Sequence, residues 1–172
     1  MSEPVAGEGA GRGRLLAIAR RAGRRAPMEV IGRGRISAEA GLNGDHKGAK
    51  FRNRAVTILA IEDWQRALSE LTDLAGPVPL PWVVRRANLL VEGVRLPRAR
   101  GAILSVGSVR LEVTYPTQPC ARMDEAHPGL LKALHPEWRG GVTCRVLDGG
   151  DIAVGDPVAI LHAPAERSPR LP

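Results

Sequence analysis

The sequence predicts a mainly β fold with a few helices, arranged as a barrel or a sandwich. Residues 109–115 alternate between apolar and polar side chains, which is typical of a strand with one buried face. Further short apolar segments are separated by predicted turns that contain Gly and Pro, and the 172-residue chain has 20 glycines and 14 prolines. Many short strands joined by Gly/Pro turns favour a closed or stacked β architecture over alternating β and α units.

The N-terminal half contains four predicted segments. Residues 15–19 are compatible with a first strand, and residues 28–36 follow Pro27 as a second one. Residues 41–45 are predicted to be a turn-rich loop. Residues 55–61 are rich in β-branched apolar side chains, which is typical of a buried strand.

One helix is predicted directly after that strand. Two acids occupy its first turn, where they interact favourably with the helix dipole, and Gly76 with Pro77 is expected to end it. A proline-rich connection then leads to a short strand at residues 89–91. The apolar positions that recur at helical spacing are Ile61, Trp64, Leu68, Leu71 and Ala75.

The C-terminal half is predicted to consist mostly of strands. Cys144 shares one strand face with Val142 and Val146, so we expect its thiol in the core. The other predicted elements are a hairpin turn at 148–151, strands at 152–154 and 158–161, and a short helix at 129–134.

Length and composition predict one cytoplasmic domain. It is expected over residues 14–162, between a disordered tail at 1–12 and a C-terminal tail at 163–172. No apolar run is long enough for a transmembrane helix, and the N-terminus lacks the apolar stretch of a secretory signal. We therefore expect no membrane contact, and both cysteines as thiols.

The net charge of +7 is concentrated near the N-terminus, where eight arginines lie between Arg12 and Arg35. Such a positive field attracts nucleic acid, phosphorylated ligands or oxyanions, or it simply keeps the protein in solution. A nucleic-acid-binding barrel is the least favoured hypothesis, because one Phe, one Tyr and three Trp are too few for a stacking surface.

The loop after the strand at 109–115 is the best candidate for chemistry. Two prolines stiffen residues 116–119 and present Cys120, while Arg122 is expected to favour its thiolate. A thiolate attacks electrophiles and binds soft metals, whereas a free cysteine is also common as a small buried residue. Both interpretations remain open from the residues alone.

No metal site built from protein ligands alone is predicted. The four histidines and two cysteines lack Cys-x-x-Cys and His-x-x-x-His spacing, so a metal would arrive inside a cofactor and take one protein ligand. Nucleophile-elbow, phosphate-loop and dinucleotide motifs are absent too. Residues 44–48 and 85–88 are polar clusters that suit a phosphate, or they are ordinary turn and surface residues.

Several of these segments, taken in order, resemble the MOSC domain, which is named after the C-terminal domain of molybdenum cofactor sulfurase. Each piece is short, but their common order makes the match specific over roughly residues 14–161. The matching pieces are residues 41–45, 54–57, 86–89, 113–120, 139–142, 149–150 and 155–156.

The resemblance implies a MOSC-type β-barrel that binds a molybdopterin-type molybdenum cofactor. By position, Cys120 is the metal ligand and the catalytic residue. Thr117 and Gln118 are expected to line the site, and Arg86 with Asn88 to hold the pterin or its phosphate. The remaining expected wall residues are Gly44, Asp45, Arg139, Gly140 and Gly141.

Two functions are compatible with this resemblance. The first is reduction of N-hydroxylated small molecules by oxygen-atom transfer at molybdenum, with electrons from a separate protein because no iron–sulfur spacing is present. The alternative is a carrier of sulfur or of the cofactor that uses a persulfide or thiolate on Cys120. Pyridoxal phosphate belongs to relatives fused to the sulfurase and is not expected here.

Overall fold

The structure, a computed structural model, describes residues 12–71 and 78–166. Three short helices and three 3-10 turns accompany eleven strands in these residues. The strands are β1 (Arg12–Arg20), β2 (Glu29–Ile31), β3 (Arg33–Ser37), β4 (Gly41–Leu42), β5 (Val56–Ala60), β6 (Leu89–Glu92), β7 (Ile103–Val106), β8 (Val109–Pro116), β9 (Val142–Asp148), β10 (Gly150–Ala153) and β11 (Pro157–His162). The helices are α1 (Ile61–Glu70), α2 (Arg122–Ala126) and α3 (Leu130–Leu134), and the 3-10 turns are Arg52–Arg54, Trp82–Arg85 and Pro136–Trp138.

Seven strands close into a barrel. Their order is β11-β7-β8-β9-β5-β6-β1, and β1 pairs back onto β11 to complete the ring. Strand β2 extends the far end of β1, while β10, β3 and β4 form a separate small sheet. The predicted mainly β fold is confirmed, and the barrel alternative is the correct one because β1 bonds to β6 and to β11.

The barrel interior is a continuous apolar core. Ile58, Leu104 and Leu111 are among the fully buried side chains that fill it. Cys144 lies in the same core with no exposed surface, as predicted. Burial raises the pKa of Cys144 well above its usual range, so this sulfur stays a protonated thiol at neutral pH.

A second apolar cluster packs the helices against the outer barrel wall. Outward-facing Leu59 and Leu90 meet Trp64 of α1 and Leu130 of α3 there. Helix α1 begins at Ile61 as its acids and apolar spacing predict. The helix ends at Glu70 with Leu71 as its C-cap, which is earlier than predicted, while Ala75 and the predicted Gly76-Pro77 stop lie outside the described residues.

The strand prediction for residues 28–36 was wrong, because two strands occupy this segment. Strand β2 bonds to β1 in the barrel sheet, whereas β3 bonds to β10 in the small sheet. The predicted hairpin at 148–151 is also wrong: β10 pairs with β3 instead of returning along β9. A Cβ on Gly149 would lie 2.5 Å from the carbonyl oxygen of Ile36, so the absent side chain permits this close approach.

The end of β8 departs from the predicted alternation. A register shift between Val113 and Tyr115 buries Thr114 and turns Tyr115 outward. The Thr114 hydroxyl donates to the carbonyl of Asn53, so it ties the 3-10 turn at Arg52–Arg54 to the barrel. Strand β7 and helix α2 were not predicted.

None of the helices in residues 12–71 and 78–166 is long and apolar enough to cross a membrane.

Candidate functional site

Cys120 lies on the loop between strand β8 and helix α2. The amide of Thr117 donates to the carbonyl of Gly141 at 2.8 Å, which holds the start of this loop against the barrel. The amide of Met123 donates to the carbonyl of Cys120 at 2.9 Å, which holds its end at the first turn of α2. Cys120 itself is exposed. The loop therefore presents an accessible thiol from a backbone that is fixed on both sides.

Arg85 bonds this loop to the barrel wall. Its guanidinium donates from Nε to the carbonyl of Gly140 at 3.0 Å and from Nη2 to the carbonyl of Thr117 at 2.8 Å. Burial lowers the pKa of Arg85 to about 10, and the charge of a Cys120 thiolate acts in the opposite direction. Arg85 thus remains charged at neutral pH and lies close enough to interact electrostatically with a thiolate on Cys120.

A cavity of about 600 Å³ opens beside Cys120, within the usual size range of small-molecule sites. A second cavity of about 420 Å³ adjoins it and shares Arg86, Arg122 and Met123. The first, which we call the Cys120 pocket, is lined by Arg21, Arg24, His46, Lys47, Lys50, Phe51, Thr57, Arg85, Arg86, Ala87, Thr117, Gln118, Cys120, Arg122 and Met123.

The Cys120 pocket is strongly cationic. Seven of its lining residues are Arg or Lys, and none is Asp or Glu. Within residues 12–71 and 78–166, none of these seven cations forms an ion pair, although nine arginines elsewhere do. Seven cations without an acidic partner are thus concentrated around one cavity, which creates a strong local attraction for anions.

Crowding of like charges adds to the effect of burial in this pocket. Burial lowers the pKa of Lys47, and the charge of Arg21 lowers it further. Burial also lowers the pKa of Arg86, with Arg21 and Arg122 acting in the same direction. Since these cations repel one another, a bound anion would relieve the repulsion and favour their charged forms.

Two buried polar atoms of the pocket have no protein partner. They are Nε of Arg86 and Oγ1 of Thr117. Arg86 is otherwise engaged through Nη2, which donates to the carbonyl of Ala26 at 2.9 Å. Buried donors in proteins are nearly always satisfied, so these two atoms are suited to a polar ligand.

The structure brings four of the predicted site residues together. Arg86, Thr117, Gln118 and Cys120 all line the Cys120 pocket. They come from the end of the 3-10 turn at Trp82–Arg85 and from the loop after β8, which are far apart in sequence but adjacent at this end of the barrel.

Asn88 does not line the Cys120 pocket. Its Oδ1 accepts from the amide and the hydroxyl of Thr57 at 3.0 and 3.1 Å, and its Nδ2 donates to the carbonyl of Ala19 at 3.2 Å. The side chain therefore bridges β1 and β5, and its amide is used within the fold.

The other predicted wall residues lie around the pocket and do not line it. Asp45 accepts from the backbone amides of Arg21 and Lys47, and Gly44 packs against a surface arginine. Gly140 and Gly141 back the Thr117 loop through the bonds described above. Arg139 points elsewhere and bonds to Glu70 and to the carbonyl of Ala133.

Several pocket residues were not selected from the sequence. Arg85 belongs to a recognised polar cluster, but nothing indicated that its guanidinium would bind the Thr117 loop. Arg21 and Arg24 belong to the basic N-terminal segment, whose charge was the available signal. His46 and Lys47 belong to the polar cluster at 44–48 that was considered for a phosphate, whereas Lys50 and Phe51 lie outside it and were not indicated by the sequence.

Comparison with known proteins assigns the family. A model of the MOSC domain matches residues 43–159, which is more than half of the chain. The chain belongs to the MOSC domain family. This confirms the family resemblance, and the MOSC family is associated with the molybdenum cofactor. No curated protein matches this MOSC chain in sequence.

Solved structures show the same fold at low sequence identity. A crystal structure of the YuaD protein from Bacillus subtilis matches at a TM-score of 0.67 and 16% identity, over 87% of this chain and 95% of that chain. A crystal structure of YiiM from Escherichia coli matches at 0.62 and 17% identity, over 89% and 72%. YiiM from Geobacillus stearothermophilus matches at 0.58 and 17% identity, over 87% and 73%. These likenesses confirm the MOSC-type barrel.

Proposed function

We propose that this chain binds a molybdenum cofactor through Cys120 and reduces N-hydroxylated small molecules with electrons from a separate donor protein. The supporting observation is an exposed thiol at a pocket lined by seven cations without ion pairs among the described residues. The proposal places one MOSC domain over residues 14–162 and the protein in the cytoplasm.

The residues of the pocket fit such a cofactor. A soft thiolate is a suitable single ligand for a metal that arrives in an organic cofactor. The cofactor's phosphate and pterin need cationic and polar partners, and the unpartnered Nε of Arg86 and Oγ1 of Thr117 are available to them. Within the described residues, no cluster of three or more His, Cys, Asp or Glu side chains offers a separate metal site.

Each pocket residue has a distinct role in this proposal. Cys120 holds the metal, and Arg86 with Thr117 orients the anionic part of the cofactor. Arg85 keeps the Cys120 loop in one position through its two backbone bonds. When bound, the cofactor supplies the two-electron reduction that converts an N–OH group to N–H and water, with two electrons and two protons from outside.

The positive field around the pocket also suits an electron donor with an acidic surface. Complementary charge steers such a partner to the exposed side of Cys120 and raises its association rate. The rate of electron delivery is then expected to fall as salt concentration rises.

The alternative function, a carrier of sulfur or of the cofactor, is favoured by the exposure of Cys120. A partner protein could reach this sulfur without opening the fold. A carrier needs no walled cavity, however, and a cavity of about 600 Å³ lies beside the thiol. We therefore favour the reductase.

One experiment separates the two functions. The full chain, produced in a host that makes the cofactor, is assayed for reduction of an N-hydroxylated amidine with a chemical electron donor. We expect turnover in the wild type, a large loss in Arg86→Gln, and unchanged turnover in the matched control Lys132→Gln on α3. A stable persulfide on Cys120 by mass spectrometry, without turnover, would instead support the carrier.

A further inference from the structure

The second cavity, of about 420 Å³, adjoins the Cys120 pocket at the start of α2, and we call it the side groove. Residues 46–51 contribute to the lining of the Cys120 pocket but not to that of the side groove. The side groove therefore meets the Cys120 loop along a different edge of the Cys120 pocket. It shares Arg86, Arg122 and Met123 with that pocket and adds Arg25, Val84, Glu125 and Ala126.

A turn directly after β1 presents Arg25 at the side groove, and two arginine side chains fix this turn. Nη1 of Arg21 donates to the carbonyl of Arg24 at 2.9 Å. Nη2 of Arg86 donates to the carbonyl of Ala26, also at 2.9 Å. Arg21 and Arg86 both line the Cys120 pocket, so the backbone that carries Arg25 is held in a defined position beside it.

The side groove combines positive charge with accessible apolar surface. Arg25 and Arg122 are exposed, and among the described residues neither forms an ion pair. Val84 is half-buried and Ala126 is exposed, so both offer apolar contact area. Arginine beside apolar surface is typical of protein–protein interfaces. The groove lining holds no aromatic side chain, so it lacks the stacking face that single-stranded nucleic acid needs.

We propose that the side groove is the docking site of the electron donor, and that this donor is a small protein with an acidic surface. Carboxylates of the donor bind Arg25 and Arg122, and an apolar side chain of the donor packs on Val84. The inference rests on the proposed function for the role of the partner. A donor that carries one electron docks twice in each cycle and is oxidised each time. The two electrons, with two protons from solvent, convert N–OH to N–H and water.

The test measures binding of an oxidised, acidic plant-type [2Fe–2S] ferredoxin to the full chain by titration calorimetry at low salt, with and without the cofactor. Arg25→Glu should weaken binding about tenfold in both forms, because it places a carboxylate where those of the donor dock. Glu125→Lys should tighten binding about threefold, because it removes the acid of the groove lining. A gain in affinity does not result from misfolding. Both changes should shrink as added salt screens the charges.

Two matched charge reversals locate the binding surface. Arg33→Glu changes an exposed arginine of β3 that lines neither the Cys120 pocket nor the side groove, and it should alter affinity by about twofold at most. Lys50→Glu changes the Cys120 pocket alone and should weaken binding less than Arg25→Glu does. No ferredoxin binding by the wild type, equal losses in Arg25→Glu and Arg33→Glu, or the largest loss in Lys50→Glu would overturn the inference. So would tighter, Arg25-dependent binding of a single-stranded DNA oligonucleotide.

Electron transfer separates this inference from the proposed function. Reduced ferredoxin is mixed with the molybdenum-loaded chain, and its oxidation is followed by stopped-flow absorbance. Arg25→Glu should slow this reaction about tenfold at low salt, and more than it slows turnover with a chemical electron donor. If ferredoxin binds with the expected charge dependence but the wild type reduces no N-hydroxylated compound, the docking site stands and the reductase function falls. If turnover with a chemical donor occurs but neither Arg25→Glu nor Glu125→Lys changes ferredoxin affinity, the inference alone is wrong.

Discussion

Replacing Arg85 by Met should loosen the Cys120 loop while leaving the barrel folded. The change removes two hydrogen bonds from a charged donor, which together contribute about 3 to 6 kcal/mol. It also removes a buried charge, and the fall in the pKa of Arg85 to about 10 corresponds to a burial penalty of about 3 kcal/mol. Met fills a similar volume, so the cavity cost is small. The free energy of unfolding should therefore fall by only about 0 to 3 kcal/mol.

Arg85→Met is expected to destabilise the Cys120 loop more than it destabilises the fold as a whole. The carbonyl of Thr117 loses its partner in Arg85→Met, while its amide still bonds to Gly141. Hydrogen exchange at the Thr117 amide should accelerate at least about tenfold more than exchange in the barrel strands. This factor corresponds to a free energy of local opening that is lower by about 1.4 kcal/mol. Urea unfolding supplies the global value for the same protein.

A second buried arginine provides the control. Arg139→Met removes a bond to Ala133 and an ion pair with Glu70, both away from the pocket. It should destabilise the helices without selectively accelerating exchange at Thr117. If Arg85→Met changed Thr117 exchange no more than Arg139→Met did, the role assigned to Arg85 would be refuted.

Three further predictions concern reactivity, folding and pH. At mildly alkaline pH, a maleimide should label Cys120 but not buried Cys144 in the native chain, and both in denaturant; labelling of two thiols in the native chain would contradict the assigned burial. Gly141→Ala should abolish folding at ordinary temperature, measured by circular dichroism, because φ is +96° and the new Cβ would lie 2.2 Å from a carbonyl oxygen. A hydrogen bond from Arg95 lowers the pKa of Glu166 to about 2, so the attachment of the C-terminal segment is complete above the usual carboxyl pKa of 4.5 and is lost as pH falls towards 2. Limited proteolysis near Glu166 across that range should show increasing cleavage at low pH, and pH-independent cleavage would contradict it.

Local patterns predicted the barrel strands other than β7, because one face of each strand is buried. The alternation at Val142 and Cys144 and the apolar run at β5 both reflect the core directly. Pairing was harder to predict, since it depends on contacts distant in sequence. Only Gly149 separates β10 from β9, yet the close approach of β3 at Gly149 takes β10 into another sheet.

The site was predicted in part for a similar reason. A proline-rich loop with one cysteine is visible in the sequence, and so is a paired Arg85-Arg86. Both arginines line the pocket and donate to backbone carbonyls, but which carbonyl each one reaches depends on the left-handed backbone of Arg86 and on the position of the Thr117 carbonyl. Asn88 shows the reverse case: a side chain expected to contact the cofactor instead satisfies the backbone of two strands.

The most direct test of the account is the molybdenum content of wild type beside Cys120→Ser, both purified under reducing conditions from a host that makes the cofactor. Because Cys120 is exposed, the substitution should not change the thermal stability of the cofactor-free chain, and a difference in metal content then reflects ligation. A serine hydroxyl is a hard, poorly ionised ligand and should not replace the thiolate. We predict close to one molybdenum per wild-type chain and a loss of most of it in the variant. Equal metal content in the two proteins would contradict ligation by Cys120.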